Sequence, residues 1–111
     1  MNGIHLRLYT YENRRHGGEP VYEWLLGEAK RLGVDGGSAF RAISGFGRHG
    51  ARHDQSFFEL AGEQPVLVEF LTGREQAQAL LDRLRAEGLA LFYAMLPAEY
   101  GVAGQTPEQD D

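Results

Sequence analysis

The chain has 111 residues, 42% of them apolar and 24% charged, which is enough for one domain and too few for two. It has no cysteine, so disulfide and thiolate chemistry are excluded and a zinc ion would have only His and carboxylate ligands. A formal net charge of −5 opposes the phosphate backbone, so generic nucleic-acid binding is not expected.

No apolar run reaches the about 18 residues of a membrane span. A strand pattern begins almost at Met1, so no signal peptide is expected, and these features fit the cytoplasm. Residues 4–11 alternate Ile4, Leu6 and Leu8 with His5, Arg7, Tyr9 and Tyr11, the period of a strand. Residues 12–18 (Glu-Asn-Arg-Arg-His-Gly-Gly) read as a polar loop. Pro20 suits the first turn of a helix, whose stripe is Val21, Leu25, Ala29 and Leu32, widened by Tyr22 and Leu26 and ended by Gly33.

A second strand is expected over residues 38–44, followed by a long mobile loop over 45–55, where Gly45, Gly47 and Gly50 forbid regular structure. Residues 56–60 read as short and extended, and Pro65 opens a strand over Val66–Leu71. Thr72-Gly73-Arg74-Glu75 matches a capping box leading into a helix with Ala77, Leu80, Leu81 and Leu84 on one face. Gly88 closes that helix, Leu89–Leu96 forms the last strand, and Pro97 ends it. Residues 1–100 then form the domain and 101–111 a flexible tail with too little apolar content to fold.

The order β-α-β-β-α-β predicts an α+β ferredoxin-like sandwich, an antiparallel four-stranded sheet with both helices on one face. The opposite sheet face should not be polar. In the last strand Leu89, Leu91, Tyr93 and Met95 point one way, and Ala90, Phe92, Ala94 and Leu96 the other. Exposed apolar area costs about 25 cal/mol per Å² and the chain has no third layer, so self-association is the expected solution.

Arg41, Arg48, Arg52, His49 and His53 fall within 13 residues, opposed by Asp54 alone. Beside the bare amides of Gly45 and Gly47, these cations suit a phosphate or carboxylate ligand. Arg41 stands mid-strand, and the competing reading for it is a structural salt bridge to Glu69. Arg15, Gly17 and Gly18 form a second basic, glycine-bearing loop that ends at a helix N-terminus, again suited to an anion. The alternatives for these groups are a solvated loop and an ordinary connection. His49, His53 and Asp54 could ligate a metal only as a weak set, because Gly50 removes the helix that would align them. His5 reads as a surface or interface residue. No G-x-S-x-G or Walker motif is present and no catalysis is expected.

Gly18-Glu19-Pro20-Val21-Tyr22-Glu23 and Phe40-Arg41-Ala42-Ile43-Ser44-Gly45-Phe46-Gly47 resemble the DUF190 family of PII-like proteins, whose pattern reads roughly G-K-P-L-Y-E and then L-R-G-I-x-G-F-G. The similarity runs from about residue 4 to residue 96. It departs from true PII proteins at Ala86-Glu87-Gly88-Leu89, where their glycine-rich phosphate loop is missing, and from the DUF190 pattern at Glu19, where Lys is common. The resemblance implies a PII-like fold, a homo-oligomer of trimeric form, and regulation in place of catalysis. It also implies a small anionic effector, an adenine nucleotide among the candidates, in clefts between subunits at Arg41, Gly45, Phe46, Gly47, Arg48, Arg52, Arg15, Gly17 and Gly18. The loop over 46–55 would contact a protein partner such as a membrane transporter. The competing readings are a metal-binding trimer like the CutA group and a structural adaptor without a small ligand.

Overall fold

The computed structural model describes residues 1–46 and 64–105. The expected extended stretch at 56–60 and most of the expected mobile loop lie outside them. Strand β1 (Asn2–Tyr11) leads into two short strands, β2 (Arg15–His16) and β3 (Glu19–Pro20), and then helix α1 (Val21–Arg31). Strands β4 (Gly36–Arg41) and β5 (Pro65–Thr72), helix α2 (Arg74–Ala86) and strand β6 (Phe92–Glu99) follow. The main sheet has the order β4-β5-β1-β6, antiparallel throughout, so each helix bridges two strands separated by a third. This is the expected ferredoxin-like arrangement.

One buried cluster holds the layers together. Ile4, Leu6 and Leu8 of β1 and Val66, Val68 and Phe70 of β5 meet Val21, Leu25 and Ala29 of α1 and Ala77, Leu80 and Leu84 of α2. The period of two in the strands and of 3.6 in the helices delivers these residues to one layer. Both helices end alike. Val34 N–H donates to Ala29 O and Leu89 N–H to Leu84 O, each at 3.0 Å, around Gly33 (φ 83°) and Gly88 (φ 67°). This is the Schellman closure, in which a left-handed residue lets the chain turn back onto the last carbonyls.

Four local expectations are corrected. The polar stretch 12–18 contains a hairpin, β2–β3, turned by Gly17 and Gly18 at φ 61° and 85°. A two-residue turn with positive φ at both positions matches the twist of paired strands. The second strand starts at Gly36 and stops at Arg41, not Ser44, because its partner β5 begins only at Pro65. Ala42 N–H still donates to Pro65 O, and one residue on Ile43 is 99% exposed.

The capping box does not form. Thr72 is the last residue of β5, paired with Ile4, and its buried hydroxyl has no partner, while the N-cap of α2 is Gly73. Sheet pairing has claimed the residue that the motif assigns to the helix. Finally, the last strand runs over Phe92–Glu99 and includes Pro97. β6 is an edge strand, where a residue without an N–H is tolerated.

Candidate functional site: a basic, aromatic groove at one end of the sheet

The end of β1 and the starts of β5 and β6 converge where the chain enters and leaves segment 47–63. Glu12 N–H donates to Gln64 O at 2.8 Å, which ties the exit of β1 to the entry of β5. Between these elements lies a groove of about 570 Å³. Its walls include Tyr9, Tyr11, Phe46, Leu67 and Phe92, and its cations are Arg7 and Arg14. The Tyr9 and Phe92 rings lie 5.7 Å apart, tilted by 49°. The Arg7 guanidinium carbon lies 5.9 Å from the centre of the Tyr9 ring, within cation–π range. Arg14 Nη1 donates to Ala90 O at 3.2 Å, and both residues line the groove. A shallower depression of about 390 Å³ at the other end of the sheet carries the carboxylates Asp35 and Glu69, and its cation is the Met1 ammonium, which donates to Tyr100 O at 2.6 Å.

The structure divides the residues that the sequence singled out. Phe46 lines the groove. Arg41 does not: it is the exposed last residue of β4, and its guanidinium is bonded to the Glu12 carboxylate. That bond holds the Glu12 carboxyl below its ordinary range and raises Arg41. The alternative salt bridge to Glu69 is overturned. Phe40 is opposite Leu67 in the register, so Arg41 and Glu69 lie on opposite faces of the sheet. Glu69 instead receives His5, with Nε2 at 3.0 Å from Oε1. Gly45 is exposed beside Phe46. Gly47, Arg48, Arg52, His49, His53 and Asp54 lie outside the described residues.

Arg15, Gly17 and Gly18 belong to the hairpin and do not line the groove. Arg15 Nη2 donates to Gly18 O at 2.5 Å, closing the turn on itself. The neighbouring His16 stands 3.0 Å from a Glu87 oxygen and edge-on to Trp24, with ring centres 5.1 Å apart. An ionic chain continues from Glu87 through Arg83 and Glu28 to Arg31. His16 and then Arg83 lower the Glu87 carboxyl, and Arg31 and Arg83 lower that of Glu28. The hairpin is thus clasped by the Glu87 carboxylate to the end of α2, which Arg83 and Glu28 in turn join to α1.

Sequence reasoning missed Arg7 and Arg14 as groove residues. Arg7 is an outward position of an alternating strand and reads there as an ordinary solvated cation. Its signal was available in the aromatic residues that follow it on the same face, Tyr9 and Tyr11.

A four-stranded antiparallel sheet with two helices on one face and a basic groove beside the β4–β5 connection defines a PII-like fold. The sequence matches the DUF190 family (Uncharacterized ACR, COG1993) over residues 3–91, and the chain belongs to that family. It is 33% identical to a UPF0166 protein of Aquifex aeolicus over 82 residues, 74% of this chain and 78% of that one. It is 28% identical to the UPF0166 protein MJ1524 of Methanocaldococcus jannaschii over 79 residues, 71% and 72% of the two chains. Among solved structures it is similar to TTHA0516 of Thermus thermophilus, assigned as a PII-like signalling protein, with a TM-score of 0.61, 22% identity and 88% of each chain covered. It is also similar to CPII of Thiomonas intermedia K12, a nitrogen regulatory PII-like protein bound to ADP, AMP and bicarbonate. There the TM-score is 0.57 and the identity 14%, covering 92% of this chain and 98% of that one. No helix among the described residues is long and apolar enough to cross a membrane.

Proposed function

We propose that this protein is a PII-like regulatory subunit that self-associates as a trimer, takes a small anionic effector in the groove, and performs no catalysis. The observation that carries the reading is the placement of Arg7 and Arg14 among aromatic walls at the base of segment 47–63. Guanidinium groups supply paired donors for a phosphate or carboxylate, and ring faces accept a flat heterocycle. An adenine nucleotide combines both parts, and CPII binds ADP and AMP. The effector-bound protein engages a protein partner such as a membrane transporter. A ligand favours the partner-binding state only by its different affinity for the two states.

The groove opens onto the sheet face opposite α1 and α2. There Tyr9, Phe40, Leu71, Phe92 and Leu96 are between 39% and 53% exposed. This supports assembly through that face, with clefts shared between copies.

Titration calorimetry with ADP, AMP, ATP and bicarbonate tests the effector. Binding of one of them, weakened at least about tenfold by Arg14→Ala, is expected from the loss of a charge-assisted contact. Binding unchanged by Arg14→Ala refutes the groove. Absence of binding by all four, from a protein that still assembles, leaves the adaptor reading in its place.

A further inference from the structure

The hairpin β2–β3 stands outside the main sheet, and its two strands pair with each other. A lone two-stranded ribbon is marginal in water, so what it touches decides where it sits. Two side chains at its base reach the connection between α2 and β6. Arg14 Nη1 donates to Ala90 O at 3.2 Å, and His16 Nε2 lies 3.0 Å from a Glu87 oxygen. Arg14 lines the groove and His16 does not. Arg14 is exposed, and its guanidinium makes no other hydrogen bond among the described residues. A long side chain held by one neutral bond at the upper end of the usual range is weakly placed. The Glu87 bridge is firmer. The second Glu87 oxygen accepts from Arg83 Nη2 at 3.0 Å, and Arg83 Nε donates to Glu28 of α1 at 3.0 Å. The His16 ring also packs edge-on against Trp24 of α1.

We propose that His16 is a positioning residue for Arg14: its bond to Glu87 holds the hairpin base against the α2–β6 connection, so that the Arg14 guanidinium stays at the groove for an anionic ligand. This rests on the groove being the effector site, and it adds the residue that presents the cation there. Arg14 N–H donates to Tyr11 O at 3.1 Å and Val21 N–H to Arg14 O at 2.8 Å. Those bonds fix the main chain of Arg14 and leave its side chain free to swing. The side chain keeps its anchor while Ala90 O is within reach, and the His16–Glu87 bond keeps it so. Residues 14 and 16 are separated by about 7 Å of extended chain, so a shift at one is passed to the other. A displaced guanidinium loses the geometry on which a charge-assisted bond to a phosphate or carboxylate depends.

The test measures binding of ADP, AMP, ATP and bicarbonate by titration calorimetry to the wild type, His16→Ala, His16→Gln, Arg14→Ala and the double variant of Arg14→Ala with His16→Ala. Thermal melting reads the fold separately. For a ligand that binds the wild type and is weakened by Arg14→Ala, His16→Ala is expected to weaken binding at least about threefold, the low end of coupling within one network. His16→Gln keeps a donor near the place of Nε2 and is expected to restore most of the loss. In the Arg14→Ala background His16→Ala is expected to change nothing further, because the cation it positions is gone. Binding left unchanged by His16→Ala, even with a lowered melting temperature, overturns the positioning role. So does an additive loss in the double variant, or a His16→Gln protein as weak as His16→Ala. In each of those cases the loss caused by Arg14→Ala leaves the groove standing as the effector site. Binding unaffected by Arg14→Ala, or no binding of any of the four, removes that site and the role of His16 with it. Should His16→Ala fail to fold, His16→Asn, whose shorter side chain draws the donor back from Glu87, takes its place with the same outcomes.

Discussion

At the scale of single residues, charge in this protein is placed by face parity as much as by sequence distance. Arg41 follows Phe40, so it leaves the sheet on the helix side and meets Glu12 at the end of β1. Glu28, Glu87 and Glu12 are all held below the ordinary carboxylate value of 4.5 by arginines or by His16. A carboxyl lowered in the folded state stabilises the fold above its ordinary pKa, and the contribution is lost as pH falls through the lowered value. Thermal stability should therefore decline as the medium is acidified below about pH 4.5, and Glu28→Gln should flatten the decline. Melting curves from neutral to strongly acidic pH check this, and an unchanged pH profile refutes the role of Glu28. Packing has its own sensitive residue. A Cβ built on Gly37 falls on the Phe70 ring, so Gly37→Ala should cost about 1–3 kcal/mol in denaturant unfolding.

At the scale of elements, the conflicts between motif and structure arise where two elements compete for one residue. Thr72 is both the end of β5 and the first position of the T-x-x-E pattern, and the sheet holds it. Its hydroxyl is buried and unbonded, so Thr72→Val should leave stability unchanged or raise it by up to about 1 kcal/mol. A capping threonine would instead lose about 1 kcal/mol on the same change, and chemical denaturation separates the two outcomes. The hairpin β2–β3 shows a second kind of conflict. Gly17-Gly18 carries the signal for a tight turn, but two-residue strands leave almost no periodicity to find. Its basic residues read as an open anion site, yet Arg15 closes the turn and His16 is occupied by Glu87.

At the scale of the whole molecule, the decisive feature is a sheet with one face under helices and an opposite face that no described helix covers. Leu96→Asp puts a charge on the sheet face opposite the helices while leaving the buried cluster untouched. It should shift the protein to single copies by light scattering, with its circular dichroism retained. Assembly that survives the change would place the interface elsewhere.

The fold was largely legible because period-two and period-3.6 patterns survive in β1, β5, α1 and α2, and glycines mark both helix ends. The bare apolar face was legible too, since β6 is apolar on both sides. Sequence by itself thus determined the layer architecture and the buried stripe. It did so because side-chain periodicity is a local property of the backbone. Only the tertiary structure decided which cations meet which carboxylates, that Arg7 and Arg14 come to one groove, and that Glu69 stands opposite Arg7. Those outcomes depend on strand register between segments about 60 residues apart, and a shift of one residue would send every side chain to the other face.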